Sequence, residues 1–374
     1  MPRKPKTIAV AAETTETIAP AGKAAPIVAY KGFDTNLTCR GFAYAIGGTY
    51  RHDGPVKACE SGFHACEHPL DVFGYYPPAT SRYAVVEMAG ETARERGGDS
   101  KIAAAEITIK AELHLPELVA AAIRYVMDRV KWIDGTHADG EREGVRATKM
   151  NGAATASGDW GAATASGYQG AATASGVQGA ATASGVQGAA TASGDWGAAT
   201  ASGTRGAATA SGDGGAATAS GDWGAATASG YQGAATASGD GGAATASGYQ
   251  GAATASGTRG AATASGVQGA ATASGDGGAA TASGWRGAAT ASGWRGAATA
   301  SGYQGAATAS GDSGAATASG FEGKVRGRTG CALFLVERAL DGSIRAVWAG
   351  IAGRDGIKAD TFYRLVDGKP VEVA

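Results

Sequence analysis

The stretch GAATASGDWGAATASGYQ, Gly152 to Gln169, holds two copies of a nine-residue unit. Seven fixed letters and two changing ones recur without a break through Glu322, so 171 of the 374 residues form 19 such units. Gly numbers 63 in the chain and falls mostly at fixed places in this tract, which marks periodic structure rather than a loose linker. Within a unit, five residues (Ala153 to Ser157) lie between glycines, and Gly158-Asp159-Trp160-Gly161 has the composition of a turn. A five-residue strand spans roughly 17 Å, so strand plus turn fits the period. A helix does not fit, because each interior glycine would cost about 1 kcal/mol and nine is no multiple of the helical turn.

One strand per unit can wind with two units per coil, as a flat two-sheet roll, or with three, as a triangular solenoid. Strand alternation sets Gly152, Ala154, Ala156 and Gly158 on one face and Ala153, Thr155 and Ser157 on the other. The all-small face is the expected interior, held by backbone ladders and close Ala and Gly packing. With two units per coil one edge reads Arg205, Asp222, Asp240, Arg259, Asp276, Arg295, Asp312, mostly alternating in sign. Three per coil gathers Arg205, Arg259 and Arg286 on a single edge, where like charges repel at strand spacing. The two-sheet roll is therefore preferred.

The changing letters fall in turns, which tolerate substitution because their side chains meet water. They are either merely unconstrained or a display surface. Favouring display, Trp160, Trp196, Trp223, Trp285 and Trp294, with Tyr168, Tyr231, Tyr249 and Tyr303, set large aromatics on turns, a composition suited to gripping a protein or a glycan. Flat ranks of Thr and Ser also resemble the ice-binding faces of some solenoids. Calcium is disfavoured, because calcium-binding nonapeptide rolls need an Asp that GAATASG lacks.

Outside the repeats the composition changes. Residues 1–26 read as a disordered tail, 27–134 as a compact α/β head, 135–151 as a connecting segment and 323–374 as a β-rich cap. In the head, RYAVVEMAG (82–90) and KIAAAEITIKAEL (101–113) read as strands. After Pro116 a helix is predicted, with an apolar stripe of Leu118, Val119, Ala122, Ile123, Val126, Met127 and Val130 that reads as core. The cap carries hairpin signals at Asp341-Gly342 and Asp367-Gly368. The whole is a mainly β chain: a two-sheet β-solenoid of 19 nonapeptides between a small α/β domain and a β-rich cap.

The net charge of −1, with four Arg against seven Asp and one Glu in the repeats, gives no basic stripe for nucleic acid. No signal peptide or membrane span is visible, so a cytoplasmic or virion-associated protein is expected, with self-association possible. Cys39, Cys59, Cys66 and Cys331 do not make a disulfide framework. Cys59, His64, Cys66 and His68 match no familiar zinc spacing, and neither a metal nor a cofactor is expected.

The motifs YKGF (30–33), TCRGFAY (38–44), KACESGFHACEHPLDVFGYYPP (57–78) and RYAVVEMAG resemble an uncharacterised N-terminal domain of bacterial and tailed-phage proteins that precedes Ala/Ser/Thr/Gly repeats. The ending IKADTFYRLVDGKPVEV is similar to the ending of the same proteins. A more distant likeness is to ADP-ribosyltransferases. It would imply an NAD-binding head with Lys31, His64 and Glu106 at the three motif positions, active or decayed. The reading that covers the whole chain is a non-enzymatic structural or interaction protein, phage-derived, displaying variable turns on a rigid rod.

Overall fold

The computed structural model describes residues 25–94, 99–133 and 135–373. The tail expected over 1–26 falls outside them up to residue 24. Strands pair at a separation of two units throughout the repeat: Ala153 lies beside Ala171 and Thr155 beside Thr173, all parallel. This is the two-units-per-coil roll. Its two sheets contain 14 and 13 strands, and the solenoid makes about 11 turns over residues 137–335.

The approach segment is part of that count, since Glu143–Ala147 pairs with Ala162–Ala165 and His137–Ala138 with Ala153–Ala156. At the far end Ala332 to Leu335 stacks on Ala315–Ala318. Between the sheets lie the second and third alanines of every unit, such as Ala154 with Ala156 and Ala226 with Ala228, all buried. Coils stack so closely at the glycine after Ser that no side chain has room. A Cβ on Gly248 would sit 1.6 Å from the Gly230 carbonyl oxygen, and one on Gly176 would sit 2.1 Å from that of Gly158.

Among its described residues the head is built on antiparallel pairings only. Strand β1 (Ile27–Phe33) is followed by the short strands β2 (Thr38–Cys39) and β3 (Phe42–Ala43), then β4 (Thr49–Arg51) and β5 (Phe63–Cys66). The long strands β6 (Arg82–Arg94) and β7 (Lys101–Leu113) form a hairpin. Because β7 also pairs with β5, β5 with β1 and β1 with β6, the four close on themselves around Ala29, Phe33, Val86, Met88, Ile102 and Ile107. Among the described residues the α component is one helix, α1 (Leu115–Met127), which starts one residue before Pro116.

The stripe on α1 does not pack inside the head alone. Leu118, Val119 and Ala122 share a core with Ala198, Ala216 and Ala234 of the 14-stranded sheet, and Val126 lies with Ala162 and Ala180. These are first alanines of their units, outward-facing residues that the helix covers. Thirteen residues at 1.5 Å each span about 20 Å, close to four strand spacings of about 4.8 Å, so α1 matches the five strands carrying these alanines. Methyl groups there give a low, even platform on which a helix can seat.

On the opposite sheet the matching first alanines, such as Ala207, remain exposed. A matched pair of variants follows. Ala216→Glu puts an unpaired charge beneath α1 and should release the head, at a cost of about 3 kcal/mol or more. Ala207→Glu should be nearly silent. Limited proteolysis between head and shaft, with thermal unfolding followed for a second transition, distinguishes them; equal behaviour of the two variants would refute the docking.

Candidate functional site

Two regions gather the residues singled out from sequence: the rims of the solenoid and a cleft in the head. At most rim turns the second changing letter adopts a left-handed backbone, with φ of 60° at Arg205, 61° at Trp160 and 58° at Arg259. Its N–H then reaches forward to the next coil, as from Arg205 to the Asp222 carbonyl at 2.8 Å. At most turns whose first letter is Asp, Oδ1 accepts the N–H of the first letter one coil on: Asp195 from Asp213, Asp213 from Tyr231, Asp240 from Thr258, Asp276 from Trp294. The rim letters are therefore not all free, because the aspartates tie coil to coil.

One rim divides in two along its length. Its early coils face the head. The Trp160 ring meets His68 and Tyr125 at 5.6 and 5.9 Å, Gln178 Nε2 donates to buried Asp71 at 2.6 Å, and Trp196 lies against Gly74. Burial raises the Asp71 pKa, but hydrogen bonds from His68 and Ser100 outweigh it and hold the carboxyl below its ordinary value. Two of the five turn tryptophans expected to display themselves, Trp160 and Trp196, are thus half-buried in a contact within the chain.

The later coils carry an open row. Tyr231 and Tyr249 stack with centroids 5.1 Å apart and planes 2° apart, and Trp285, Tyr303 and Phe321 continue it at 4.8 and 5.1 Å. A polar ladder runs beside them, Gln250 to Gln268, Arg286 to Gln304 and Gln304 to Glu322. On the other rim Tyr168, Trp223 and Trp294 are exposed. Trp223 lies flat over Gly241, and Arg295 covers Trp294 with its guanidinium 4.0 Å from the ring centroid.

The head cleft, about 440 Å³, is walled by Phe42, Tyr44, Phe63, Tyr75 and Tyr76, with Lys31 and His64 among its lining. Gly32 of YKGF is glycine for a local reason: a Cβ there would lie 2.5 Å from Cβ of Tyr76, whose ring also sits on the bare backbone. Lys31 is 5 % exposed; its Nζ donates to the His64 carbonyl at 2.9 Å and lies 3.6 Å from Cys39 Sγ. Burial lowers the pKa of this amine. His64 is also lowered, by burial and then by the Lys31 charge, and its Nε2 is buried with no hydrogen-bond partner.

Glu106 does not join Lys31 and His64, which corrects the triad implied by the transferase likeness. His64 pairs with Ala103 on β7, so Glu106, three residues along, falls on the opposite face and bridges to Arg51 at 2.7 Å. Of the other four, Cys59, His64 and Cys66 line the cleft and His68 does not. His68 is buried against Asp71 and Cys59 is exposed, and among the described residues no three His, Cys, Asp or Glu side chains converge as a metal site would need. No helix among the described residues is long and apolar enough to cross a membrane.

With this geometry in view, residues 27–121 match a domain of unknown function, DUF7666. The match covers the closed antiparallel strands and the first half of α1. No curated protein and no solved structure matches the chain. An uncharacterised domain followed by a repeat β-solenoid is the organisation found.

Proposed function

We propose that this is a non-enzymatic interaction protein, a rigid rod that presents exchangeable rim residues to a protein partner. The observation that carries the reading is the division of one rim: its first coils already hold a folded domain through Trp160, Gln178 and Trp196, and its later coils repeat an aromatic and polar row whose Tyr231, Tyr249, Trp285 and Tyr303 are exposed. Aromatic and Arg side chains are enriched at interfaces, and a fixed scaffold spares the backbone ordering that binding would otherwise cost.

A protein partner is favoured over a glycan on this row because Tyr231 and Tyr249 cover one another's faces. The faces they share are closed to a sugar, which needs an open face to lie on, while ring edges and phenol oxygens remain for a protein. The phage derivation belongs to this proposal as an origin that would suit a rod of tandem units.

The test changes Tyr231, Tyr249, Trp285 and Tyr303 to Ser together and compares the variant with the native chain on a protein microarray and a glycan array. Loss of the native chain's protein ligands, by roughly tenfold or more in affinity, is expected. Ligands confined to glycans, or protein ligands held equally by both forms, would overturn the assignment.

A further inference from the structure

The cleft of the head has a charge imbalance that the rod function does not use. Lys31 carries a buried amine, and among the described residues no carboxylate pairs with it. The one carboxylate among the described residues lining the cleft, Glu60, is engaged by Lys57 at 3.2 Å. Arg40 and Lys101 line the same space, and His64 brings the unpartnered Nε2. A buried ammonium without a counter-ion is strongly disfavoured, and an unsatisfied ring nitrogen adds to that cost. One event relieves both, the arrival of an anion with acceptor oxygens together with the proton that turns His64 Nε2 into a donor.

The walls specify the rest of the ligand. Phe42, Tyr44, Phe63, Tyr75 and Tyr76 are aromatic, and the volume suits a small molecule. Two lining residues, Arg40 and Cys59, hold left-handed backbones at φ 51° and 63°, a conformation that costs a non-glycine residue about 1 kcal/mol or more. At Arg40 that backbone belongs to the tight turn joining β2 to β3, at the lip of the cleft.

We propose that the head cleft binds a small aryl oxyanion, a carboxylate or phosphate monoester on a single ring, with its oxygens set against Lys31 Nζ and His64 and its ring between the aromatic walls. The short helix Pro69–Gly74 contributes Val72 to this lining and Asp71 to the solenoid contact, so the site belongs to the docked head.

Binding carries a proton signature. The groups facing Lys31 are Cys39, Arg40 and Tyr44 after β1, His64 and Cys66 on β5, Tyr76 beyond the short helix, and Lys101 on β7. None of these is a carboxylate, and the support from Cys39 and Cys66 does not outweigh burial, so an incoming anion favours the charged forms of Lys31 and His64 and protons are taken up as it binds.

The experiment titrates the full chain calorimetrically with benzoate, phenyl phosphate and uncharged benzamide, in buffers of different ionisation enthalpy near pH 8. Expected are binding of one or both anions, at least roughly tenfold weaker binding of benzamide, and proton uptake. Benzoate against phenyl phosphate decides which oxyanion is preferred. Lys31→Met keeps the volume, and is expected to lose both the tenfold preference and the uptake. Should Lys31→Met fail to fold, Arg40→Ala at the exposed lip decides, with several-fold weaker anion binding expected. No binding of either anion at millimolar concentration, equal binding of benzamide, or unchanged anion affinity in the folded variant would overturn the site.

Discussion

Gly248→Ala should lower the unfolding midpoint of the solenoid by roughly 5–10 °C, the effect of about 2–3 kcal/mol of overpacking on roughly 200 residues. One methyl group is added, and no rotamer can move it. Its position is fixed by the backbone, 1.6 Å from the carbonyl oxygen of Gly230 one coil below. The coils must part, and the ladder around Ser247 N–H to the Ala228 carbonyl, 3.0 Å in the native chain, opens with them.

Two controls separate this clash from other glycine effects. Gly277→Ala places its methyl in open space, with nothing nearer than 3.8 Å, but at φ 65°, where the cost is about 1 kcal/mol of left-handed strain. Ser247→Ala, on the exposed neighbour, should change stability by less than about 0.5 kcal/mol. Thermal unfolding followed by circular dichroism ranks the three. If Gly248→Ala proves no worse than Gly277→Ala, coil stacking does not fix that glycine.

Much of this was legible because the repeat prints its own geometry. Ala154 and Ala156 alternate with Thr155 and Ser157, so period two named the interior, and charge alternation along Arg205, Asp222 and Asp240 pointed to two units per coil. The flanking coils were harder to see. Glu143–Ala147 reads EGVRA and Lys324–Gly327 reads KVRG, and each keeps an apolar residue, Val145 or Val325, where the repeat has its interior alanine. Aligning these segments to AATA would have extended the solenoid at both ends.

Head docking was not legible. The stripe on α1 announces that Leu118, Val119 and Val126 are covered, but the covering surface is a row of alanines spaced 18 residues apart and identical to those left bare on the other sheet. The choice rests on chain connectivity and on Gln178 meeting Asp71, 107 residues away. The head cleft was half legible. Lys31 and His64 were singled out, but their meeting depends on β5 pairing with β1 and β7, and the same pairing carries Glu106 away.

Deleting residues 324–374 should convert the protein into aggregates or fibres. The C-terminal segment ends both ladders and fills the open end of a roll whose own core is alanine. Val325, Cys331, Leu333, Leu335, Tyr363 and Leu365 are buried there, and the sheets finish in antiparallel strands, Ile344–Ile351 on one and Phe362–Val366 with Lys369–Val373 on the other. The last strand places Lys369, Pro370 and Glu372 on its edge, residues that discourage a further strand from pairing. Without the cap, Ala306–Ala309 and Ala315–Ala318 would present bare N–H and C=O groups in strands with no charge and no proline. Each accepts a strand of the same AATA sequence, because any unit matches any other and register is not enforced. Light scattering and thioflavin fluorescence on the truncated chain, at a concentration where the full chain stays clear, report the outcome. A soluble truncated monomer with undiminished β content would show that the alanine roll guards its own end and that the cap serves another purpose.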